Sequence, residues 1–161
     1  MTTVDVSLVD VYVLRPAGSA SVDVLALRRS AAGRCPGAWE TVHGHIEGQE
    51  GPVRAGVREL LEETGLEPLR LYNVSRVETF YRHLTDEVSL IPVFGAIIHE
   101  AGTVTLSEEH DAHRWVTADE AISLYAWPRE RRAVKEVLAL FGTGSAGAVE
   151  DVLSVPSSLW R

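Results

Sequence analysis

The stretch of sequence that decides the fold runs from Gly44 to Leu66 and reads GHIEGQEGPVRAGVRELLEETGL. Pro52 suits the first turn of a helix, and Gly65 suits the left-handed residue just past a helix end. The sequence therefore predicts a helix over residues 52–64. This helix is the reference point for the rest of the chain.

The predicted helix has an apolar face and an acidic face. The apolar face consists of Val53, Val57, Leu60 and Leu61. The acidic face consists of Glu59, Glu62 and Glu63. At about 100° per residue the two groups lie nearly opposite each other, so we expect the helix to bury one side and to offer carboxylates on the other.

The crowding of these glutamates needs an explanation, because like charges three and four residues apart destabilise a helix. A solvated acidic face is the ordinary explanation, but it normally carries Lys or Arg at i+4, and here those positions hold Glu63, Leu66 and Glu67. The acids also lie near the negative end of the helix dipole. A bound divalent cation removes both penalties, and clustered carboxylate oxygens favour hard ions such as Mg²⁺ or Mn²⁺.

The spacing of the stretch resembles the Nudix box, G-x5-E-x7-R-E-U-x-E-E-x-G-U. Gly44, Glu50 and the run from Arg58 to Leu66 match every specified position. The resemblance covers 23 of 161 residues, and its rigid spacing makes it far more specific than a lone glycine-rich pattern. It implies a Nudix hydrolase, which cleaves a diphosphate linked to another moiety with Mg²⁺ or Mn²⁺.

The resemblance also implies roles for individual residues. The metal ligands would be Glu59, Glu62, Glu63 and the backbone carbonyl of Gly44. Arg58 and Glu50 would form an ion pair that orients Glu59. Glu59 and Glu63 are both candidates for the general base, with a slight preference for Glu59, so the expected catalytic residues are Glu59, Arg58 and Glu63.

A further metal ligand is expected from the acidic segment LSEEHDAHRWV, residues 106–116. An acid from outside the box often completes metal binding or acts as the base in this family. Glu108, Glu109 and Asp111 are available, in what we predict to be a loop before a strand at 114–116. We favour Glu109, and a solvated acidic loop is the alternative.

Candidate substrate-binding residues lie elsewhere in the chain. Family members often carry Pro-Gly-Gly where this chain has Val42-His43-Gly44, and we expect His43 to point into the substrate cleft, with packing within the loop as the alternative. Guanidinium groups pair well with phosphate oxygens, and the candidates are Arg28, Arg82 and Arg76. Aromatic faces can hold a purine or pterin ring, and the candidates are Trp39, Phe80, Tyr81 and Trp127, whereas packing in the core is the ordinary role of each.

A zinc site is the alternative use of the histidines. It would draw on His43, His45, His110 and His113. The glutamate-rich box speaks against it, because such oxygen-rich sites prefer hard ions.

Composition limits the remaining choices. A chain that is 45% hydrophobic and 24% charged fits one globular domain with a real core. The net charge of −8 has the wrong sign for a protein that coats nucleic acid. The start lacks a basic segment, and no apolar run approaches the roughly 20 residues that a membrane span requires, so we expect a cytoplasmic protein without a membrane partner. The single cysteine, Cys35, excludes an internal disulfide.

The order of predicted elements favours an α+β fold, an α/β/α sandwich with a mixed β-sheet. Strands are predicted at 4–14, 22–29, 39–42, 68–81, 87–99 and 114–116. Two further helices are predicted at 117–127 and 128–142. The first two strands should form a hairpin through a turn at 15–21. Residues 1–142 would form the Nudix hydrolase domain, and residues 143–161 would be a C-terminal extension that is either flexible or docked.

The function implied is a Mg²⁺-dependent hydrolase acting on a nucleoside triphosphate or on a nucleoside diphosphate linked to X. A looser likeness is to the branch that includes dihydroneopterin triphosphate pyrophosphatase and nucleoside triphosphate pyrophosphohydrolases; it rests on Trp39, Glu109, His110, Trp115 and the helix that follows. The alternative is a noncatalytic nucleotide-binding regulator on the same fold, which we would expect to lose box carboxylates or to append a DNA-binding domain. An isomerase of the isopentenyl diphosphate type would need a catalytic Cys in a degenerate box. A homodimer is one possible assembly, since many relatives are dimers.

Overall fold

The computed structural model describes residues 1–18 and 21–161. Its helices are α1 (Pro52–Thr64), α2 (Ala118–Leu124), α3 (Pro128–Phe141) and α4 (Glu150–Leu153). Its strands are β1 (Thr3–Asp5), β2 (Leu8–Pro16), β3 (Val22–Arg29), β4 (Trp39–Glu40), β5 (Val42–His45), β6 (Arg70–Arg82), β7 (Glu87–Ile97), β8 (His110–Val116) and β9 (Ser154–Val155).

The strands form one mixed sheet in which β4, β3, β2, β7, β6 and β9 are neighbours in that order. β2 is parallel to β7 and antiparallel to β3, so the hairpin predicted from the first two strands is confirmed. The turn predicted at 15–21 includes residues 19 and 20, which lie outside the described ranges. With helices packed on both faces of a mixed sheet, the predicted α+β sandwich is also confirmed.

Each face of the sheet carries its own core, because alternate side chains of a strand point to opposite faces. From β2, Val9, Val11 and Val13 pack with Leu60 of α1. Tyr12 and Leu14 pack on the other face, in a core that includes Ala121 of α2 and Val134, Val137 and Phe141 of α3. The acidic helix and helix α3 are therefore separated by the sheet.

The sheet divides along β2. The first half of this strand pairs with β5, from Leu8 to Val11, and its end pairs with β3, from Leu14 to Pro16. Thr41 lies at the division, where its hydroxyl donates to the backbone carbonyl of Val11 at 2.6 Å. The sheet is therefore interrupted between β4, which pairs with β3, and β5, which pairs with β2. At this gap, side chains from the two faces of the sheet lie near each other.

Helix α1 has the predicted bounds, and Gly65 adopts the left-handed conformation with φ of 68°. Its buried face differs from the prediction, because Leu61 is 47% exposed while Glu63 is only 3% exposed. The reason is close packing on β2: a side chain at Gly56 would lie 3.2 Å from Val11 Cγ2. The small residues Ala55 and Gly56 therefore face the sheet, and this rotation carries Glu63 inward.

Three strand predictions are wrong in their bounds. The strand predicted at 39–42 is divided at Thr41 into β4 and β5, and β5 extends to His45. β8 begins at His110 rather than at Arg114, because His110 already pairs with Arg29 of β3. Asp111 thus belongs to a strand and not to the acidic loop. The strand predicted at 4–14 is interrupted after Asp5, and β1 pairs with β7 instead of continuing into β2.

The C-terminal residues pack against β6. Val155 of β9 pairs with Leu71, and Leu153 is buried. Tyr72 donates to the carboxylate of Glu150 at 2.7 Å. Among the residues that the structure describes, no helix combines the length and the apolar character needed to cross a membrane.

Candidate active site

Gly44 and Glu59 form the contact between β5 and the acidic helix. A Cβ atom at residue 44 would lie 1.9 Å from Cδ of Glu59, which no real structure allows. Glycine is therefore required here by the glutamate that packs against it. The absence of a side chain leaves room for the Glu59 carboxylate beside the backbone of β5.

Arg58 connects the acids of the box. Its Nη2 atom donates to Glu50 at 2.6 Å, and its Nη1 atom donates to both Glu59 and Glu62 at 3.0 Å. The hydrogen bonds that Arg58 donates to Glu50 contribute most to raising the pKa of Arg58. The expectation that no basic neighbour relieves the acidic face is wrong for Glu62, because Arg58 reaches it from the preceding turn.

Glu63 is the acid without a partner. Its Oε2 atom is buried and has no hydrogen-bond partner among the described residues. Burial raises the pKa of Glu63 well above its usual value, and the nearby charges of Glu59, Glu40 and Glu109 raise it further. Burial also raises the pKa of Glu59, although its contacts with Arg58 oppose the shift.

These features fit a divalent cation. The available donors are carboxylate oxygens, one of them buried and unpaired, and hard cations prefer such donors. Glu62 points to Arg58, and within the described ranges no three Asp, Glu, His or Cys side chains are gathered in an arrangement that could hold an ion. An ion bound by Glu59 and Glu63 would supply the positive charge that their raised pKa values call for.

Arg29 links two acids outside the box, Glu40 and Glu109, and lines the cleft described next. Its Nη1 atom contacts Glu40 at 3.3 Å and Glu109 at 3.5 Å. Glu40 is buried and also accepts a hydrogen bond from the indole of Trp127 at 3.2 Å. Burial opposes ionisation of Glu40, but hydrogen bonds from His110 and Trp127 lower its pKa overall. Sequence reasoning missed Glu40 and Arg29; the available signal was an acid inside a short predicted strand.

A cleft of about 710 Å³ opens on the α3 side of the division in the sheet. Its aromatic and apolar lining includes Phe80, Tyr81, Ile91 and Trp127. Its basic lining includes Arg29, Arg34, Arg82, His43 and Arg129. A cleft with one aromatic wall and several cations suits a ligand that combines a flat ring with phosphate groups.

The structure separates the predicted substrate residues. His43, Arg82, Phe80, Tyr81 and Trp127 line the cleft. Three of the other candidates lie outside this lining, namely Arg28, Arg76 and Trp39. Arg28 pairs with Asp111 at 2.6 Å, and Arg76 pairs with Glu78 and Glu136.

The histidines considered for zinc have separate partners. His43 contacts Asp10, whereas His110 contacts Glu40 at 3.3 Å. In the described part of the chain they do not form a group that could hold a metal.

Asp10 forms a second buried charged centre at the floor of the cleft. Its carboxylate contacts His43 Nδ1 at 2.6 Å and Arg129 at 3.2 and 3.1 Å. Burial would raise the pKa of Asp10, but the hydrogen bond from His43 and the charges of His43 and Arg129 outweigh it and lower the pKa. Sequence reasoning also missed this role of Asp10, although an acid between Val9 and Val11 was visible.

Glu130 lies beside this centre and is completely buried. Its Oε1 atom is 3.6 Å from Arg129, but burial and the charge of Asp10 outweigh that attraction and raise the pKa of Glu130 well above its usual value. Its Oε2 atom accepts a hydrogen bond from the backbone of Thr41 at 3.3 Å. Burial and the charge of Asp10 thus disfavour the charged form of Glu130, whereas the contacts of Asp10 with His43 and Arg129 favour the charged form of Asp10.

The chain is similar to known proteins over most of its length. A family profile described as the NUDIX domain matches residues 6–137. The chain is 30% identical over 138 residues to an octanoyltransferase from Myxococcus xanthus, covering 81% of this chain but only 36% of that protein, so it spans about a third of that relative's length.

Two further likenesses are closer in length. The chain is 28% identical over 100 residues to the asymmetrical bis(5'-nucleosyl)-tetraphosphatase of Rattus norvegicus, covering 61% of this chain and 68% of that protein. The structure of the E. coli dihydroneopterin triphosphate pyrophosphohydrolase superposes with a TM-score of 0.63 at 23% identity, covering 81% of this chain and 94% of that chain. The latter likeness concerns the fold.

Proposed function

The chain belongs to the Nudix family, and from this premise we propose that it is a divalent-cation-dependent hydrolase of a nucleotide. Its substrate would be a nucleoside triphosphate or a nucleoside diphosphate linked to X. Hydrolysis of the phosphoanhydride would release a nucleoside monophosphate and either pyrophosphate or a phosphorylated X.

The observation that carries this proposal is the buried, unpaired carboxylate oxygen of Glu63. Leaving such an oxygen without a partner costs on the order of 1–3 kcal/mol. The unpaired oxygen lies near Glu59, whose own charged form is also disfavoured by burial. A cation offsets both penalties, so the box supports a metal site rather than a solvated acidic surface.

We assign metal binding to Glu59, Glu62, Glu63, Glu109 and the carbonyl of Gly44. When bound, Mg²⁺ or Mn²⁺ would neutralise the phosphoryl charge and lower the pKa of a bound water, which a base can then deprotonate. Glu62 would have to leave Arg58 to take part. Arg58 keeps its contacts with Glu50 and Glu59 and so holds Glu59 in place.

The hydrolytic step needs a base for the attacking water. Its oxygen forms a bond to phosphorus, the bond from phosphorus to the leaving phosphate oxygen breaks, and a carboxylate accepts the released proton. Glu59 is favoured over Glu63 for this role because burial and neighbouring acids disfavour the charged form of Glu63 more strongly.

The cleft supports a nucleotide as the substrate. It combines aromatic side chains with His43 and Arg82, which we assign to substrate binding. Its lining residue Arg29 contacts Glu109, the proposed metal ligand from outside the box. Arg28 keeps a weaker claim to phosphate binding, since Asp111 already pairs with it. The likeness to a bis(5'-nucleosyl)-tetraphosphatase supports a substrate of the nucleoside polyphosphate class.

The test is a hydrolysis assay with Mg²⁺ over a panel of nucleoside triphosphates, dinucleoside polyphosphates and nucleoside diphosphate sugars. Wild type should hydrolyse at least one class, and Glu62→Gln and Glu63→Gln should both lose that activity. Glu67→Gln is the matched control, because Glu67 is exposed and follows the box helix. Hydrolysis that survives both box substitutions would reject the metal assignment, and binding without turnover of any panel member would favour a noncatalytic regulator.

A further inference from the structure

The charged centre around Asp10 lies on the face of β5 opposite to the box. Asp10 on β2 is directly paired with His43 on β5, whereas Gly44, the next residue, faces Glu59 of α1. Arg129 reaches the same carboxylate from the first turn of α3. Three elements thus bring one acid and two nitrogen-bearing side chains to the floor of the cleft, and hydrolysis as proposed above needs neither Asp10 nor Arg129.

The contacts leave defined atoms for a ligand. Arg129 uses Nε and Nη2 on the two oxygens of Asp10, at 3.2 and 3.1 Å, so Nη1 has no hydrogen-bond partner among the described residues. His43 Nδ1 lies 2.6 Å from Asp10 but 3.4 Å from Arg129. The shorter contact is charge-assisted, so we infer that Nδ1 carries the proton and donates it to Asp10. Nε2 then remains available to a ligand in the cleft.

Charge and surroundings indicate what these atoms bind. The charges of Asp10 and Arg129 cancel, so this pair adds no net positive charge for a phosphate. The cleft-lining residues Leu8, Ile91 and Phe80 are apolar. Trp127 completes this end, with Arg129 5.4 Å from its ring centroid and the Phe80 ring edge-on at 6.3 Å.

We propose that His43 and Arg129, both positioned by Asp10, form a subsite that reads the hydrogen-bonding edge of a planar base stacked on Trp127. This inference rests on the proposed function, since it names the part of the nucleotide that determines selectivity. Nη1 of Arg129 offers only donors, and arginine donors pair well with carbonyl oxygens of bases. The subsite therefore favours a base that presents a carbonyl group, such as guanine, over adenine. Asp10 acts as a positioning residue, without touching the base.

The first experiment measures binding without hydrolysis. Metal-free protein is titrated by calorimetry with guanosine, adenosine and inorganic triphosphate. Guanosine should bind more tightly than adenosine, and Arg129→Lys should reduce that preference about tenfold, because lysine retains the charge but loses the planar fork. The matched control is Arg132→Lys, an exposed arginine on the same helix, which should leave the preference unchanged.

The second experiment measures selectivity in turnover. The ratio of kcat/KM for GTP to that for ATP should fall about tenfold in Arg129→Lys and in His43→Asn, which retains an Nδ1-like group and loses Nε2. Asp10→Asn should lower the same ratio, which a merely structural role would leave unchanged. His43 is partly exposed, so His43→Asn keeps the test decisive should a substitution at a buried position prevent folding.

The outcomes separate the two proposals. A wild-type preference for guanosine that is unaffected by Arg129→Lys and His43→Asn would overturn the subsite, whether or not diphosphates are hydrolysed. Equal loss of guanosine and inorganic triphosphate binding in Arg129→Lys would also overturn it, because the site would then bind anions. Absence of hydrolysis with an Arg129-dependent guanosine preference would instead reject the proposed function and leave the subsite standing.

Discussion

Two buried carboxylates on opposite faces of the sheet differ in their hydrogen bonding and in the direction of their pKa shifts. Asp10 receives hydrogen bonds from His43 and Arg129, and its pKa is lowered. Glu63 keeps one oxygen without a partner, and its pKa is raised well above the usual value. The described residues balance the charge of Asp10 but not that of Glu63, where we propose that an ion does so. A paired acid fixes geometry. An unpaired oxygen does not identify a metal site by itself, because Glu130 Oε1 also lacks a hydrogen-bond partner among the described residues; Glu63 differs in lying near Glu59 of the box.

A substitution at Glu63 should have the largest effect and is the strictest test of this comparison. Glu63→Gln should lower kcat by about 10³-fold, because the neutral amide cannot complete a cation site that stabilises phosphoryl charge. The same change should not destabilise the metal-free protein, since the amide avoids burying an uncompensated carboxylate. Activity is measured with Mg²⁺ and stability by urea unfolding without metal. Activity within tenfold of wild type, with Glu67→Gln as the control, would show that Glu63 is not the unbalanced charge of the site.

Asp10→Asn tests the balanced side of the comparison. It should destabilise the protein by about 3 kcal/mol at pH 7, because Arg129 is left with a mostly buried, uncompensated charge. Urea unfolding measures the change. The control is Asp23→Asn, which removes a more exposed pair with Arg15 at 3.5 Å and should cost less than about 1 kcal/mol. Equal losses in the two variants would mean that Asp10 balances nothing of consequence.

Gly44→Ala tests whether the position of Glu59 in the box matters for catalysis. The new Cβ would lie 1.9 Å from Glu59 Cδ, so the glutamate must move away from β5. A displacement of this size should lower kcat by about 10²-fold. Gly51→Ala is the control, because a Cβ there meets no atom of the described residues within 4 Å and φ is −89°. If the two variants are equally active, the position of Glu59 does not matter for turnover.

The pH dependence of stability should differ in sign between the two acids. The folded-state pKa of Glu63 lies above its ordinary value of 4.5, so its contribution is present below that pH and is lost as the pH rises through the folded-state pKa. The pKa of Asp10 lies below its ordinary value of 3.8, so its contribution is present above 3.8 and is lost as the pH falls through the folded-state pKa.

Unfolding of the metal-free variants over a pH series measures this contrast. Relative to wild type, Glu63→Gln should gain stability above pH 4.5, by at most about 1.4 kcal/mol per pH unit. The deficit of Asp10→Asn should instead shrink below pH 3.8. Parallel profiles for the two variants would contradict the assignment of opposite charge balance.

Features with a local code could be predicted from the sequence. The bounds of α1 follow from Pro52 and Gly65, and the alternation in 22–29 gave the bounds of β3. Such predictions succeed because residues a few positions apart in one element have a fixed geometry. The contacts of Arg58 with Glu50 and Glu59 agree with what the resemblance to the Nudix box implied, rather than with a local code.

Features that depend on register between distant strands could not be predicted. Asp10 meets His43 only because β2 and β5 pair at that position, and Arg129 comes from the far end of the chain. The inward rotation of Glu63 depends on how closely Gly56 approaches Val11. The local spacing of residues determines neither which distant strands pair nor how closely a helix packs on the sheet.

Two adjacent residues of strand β5 face opposite sides of the sheet. His43 faces the cleft, and Gly44 faces Glu59 of the box. Inserting or deleting one residue before this strand would exchange the two positions, while a change of two residues would restore their orientation. Mutational libraries at 43 could therefore retune ligand choice independently of bond cleavage, whereas length variants at Thr41 should show an odd-even pattern of activity.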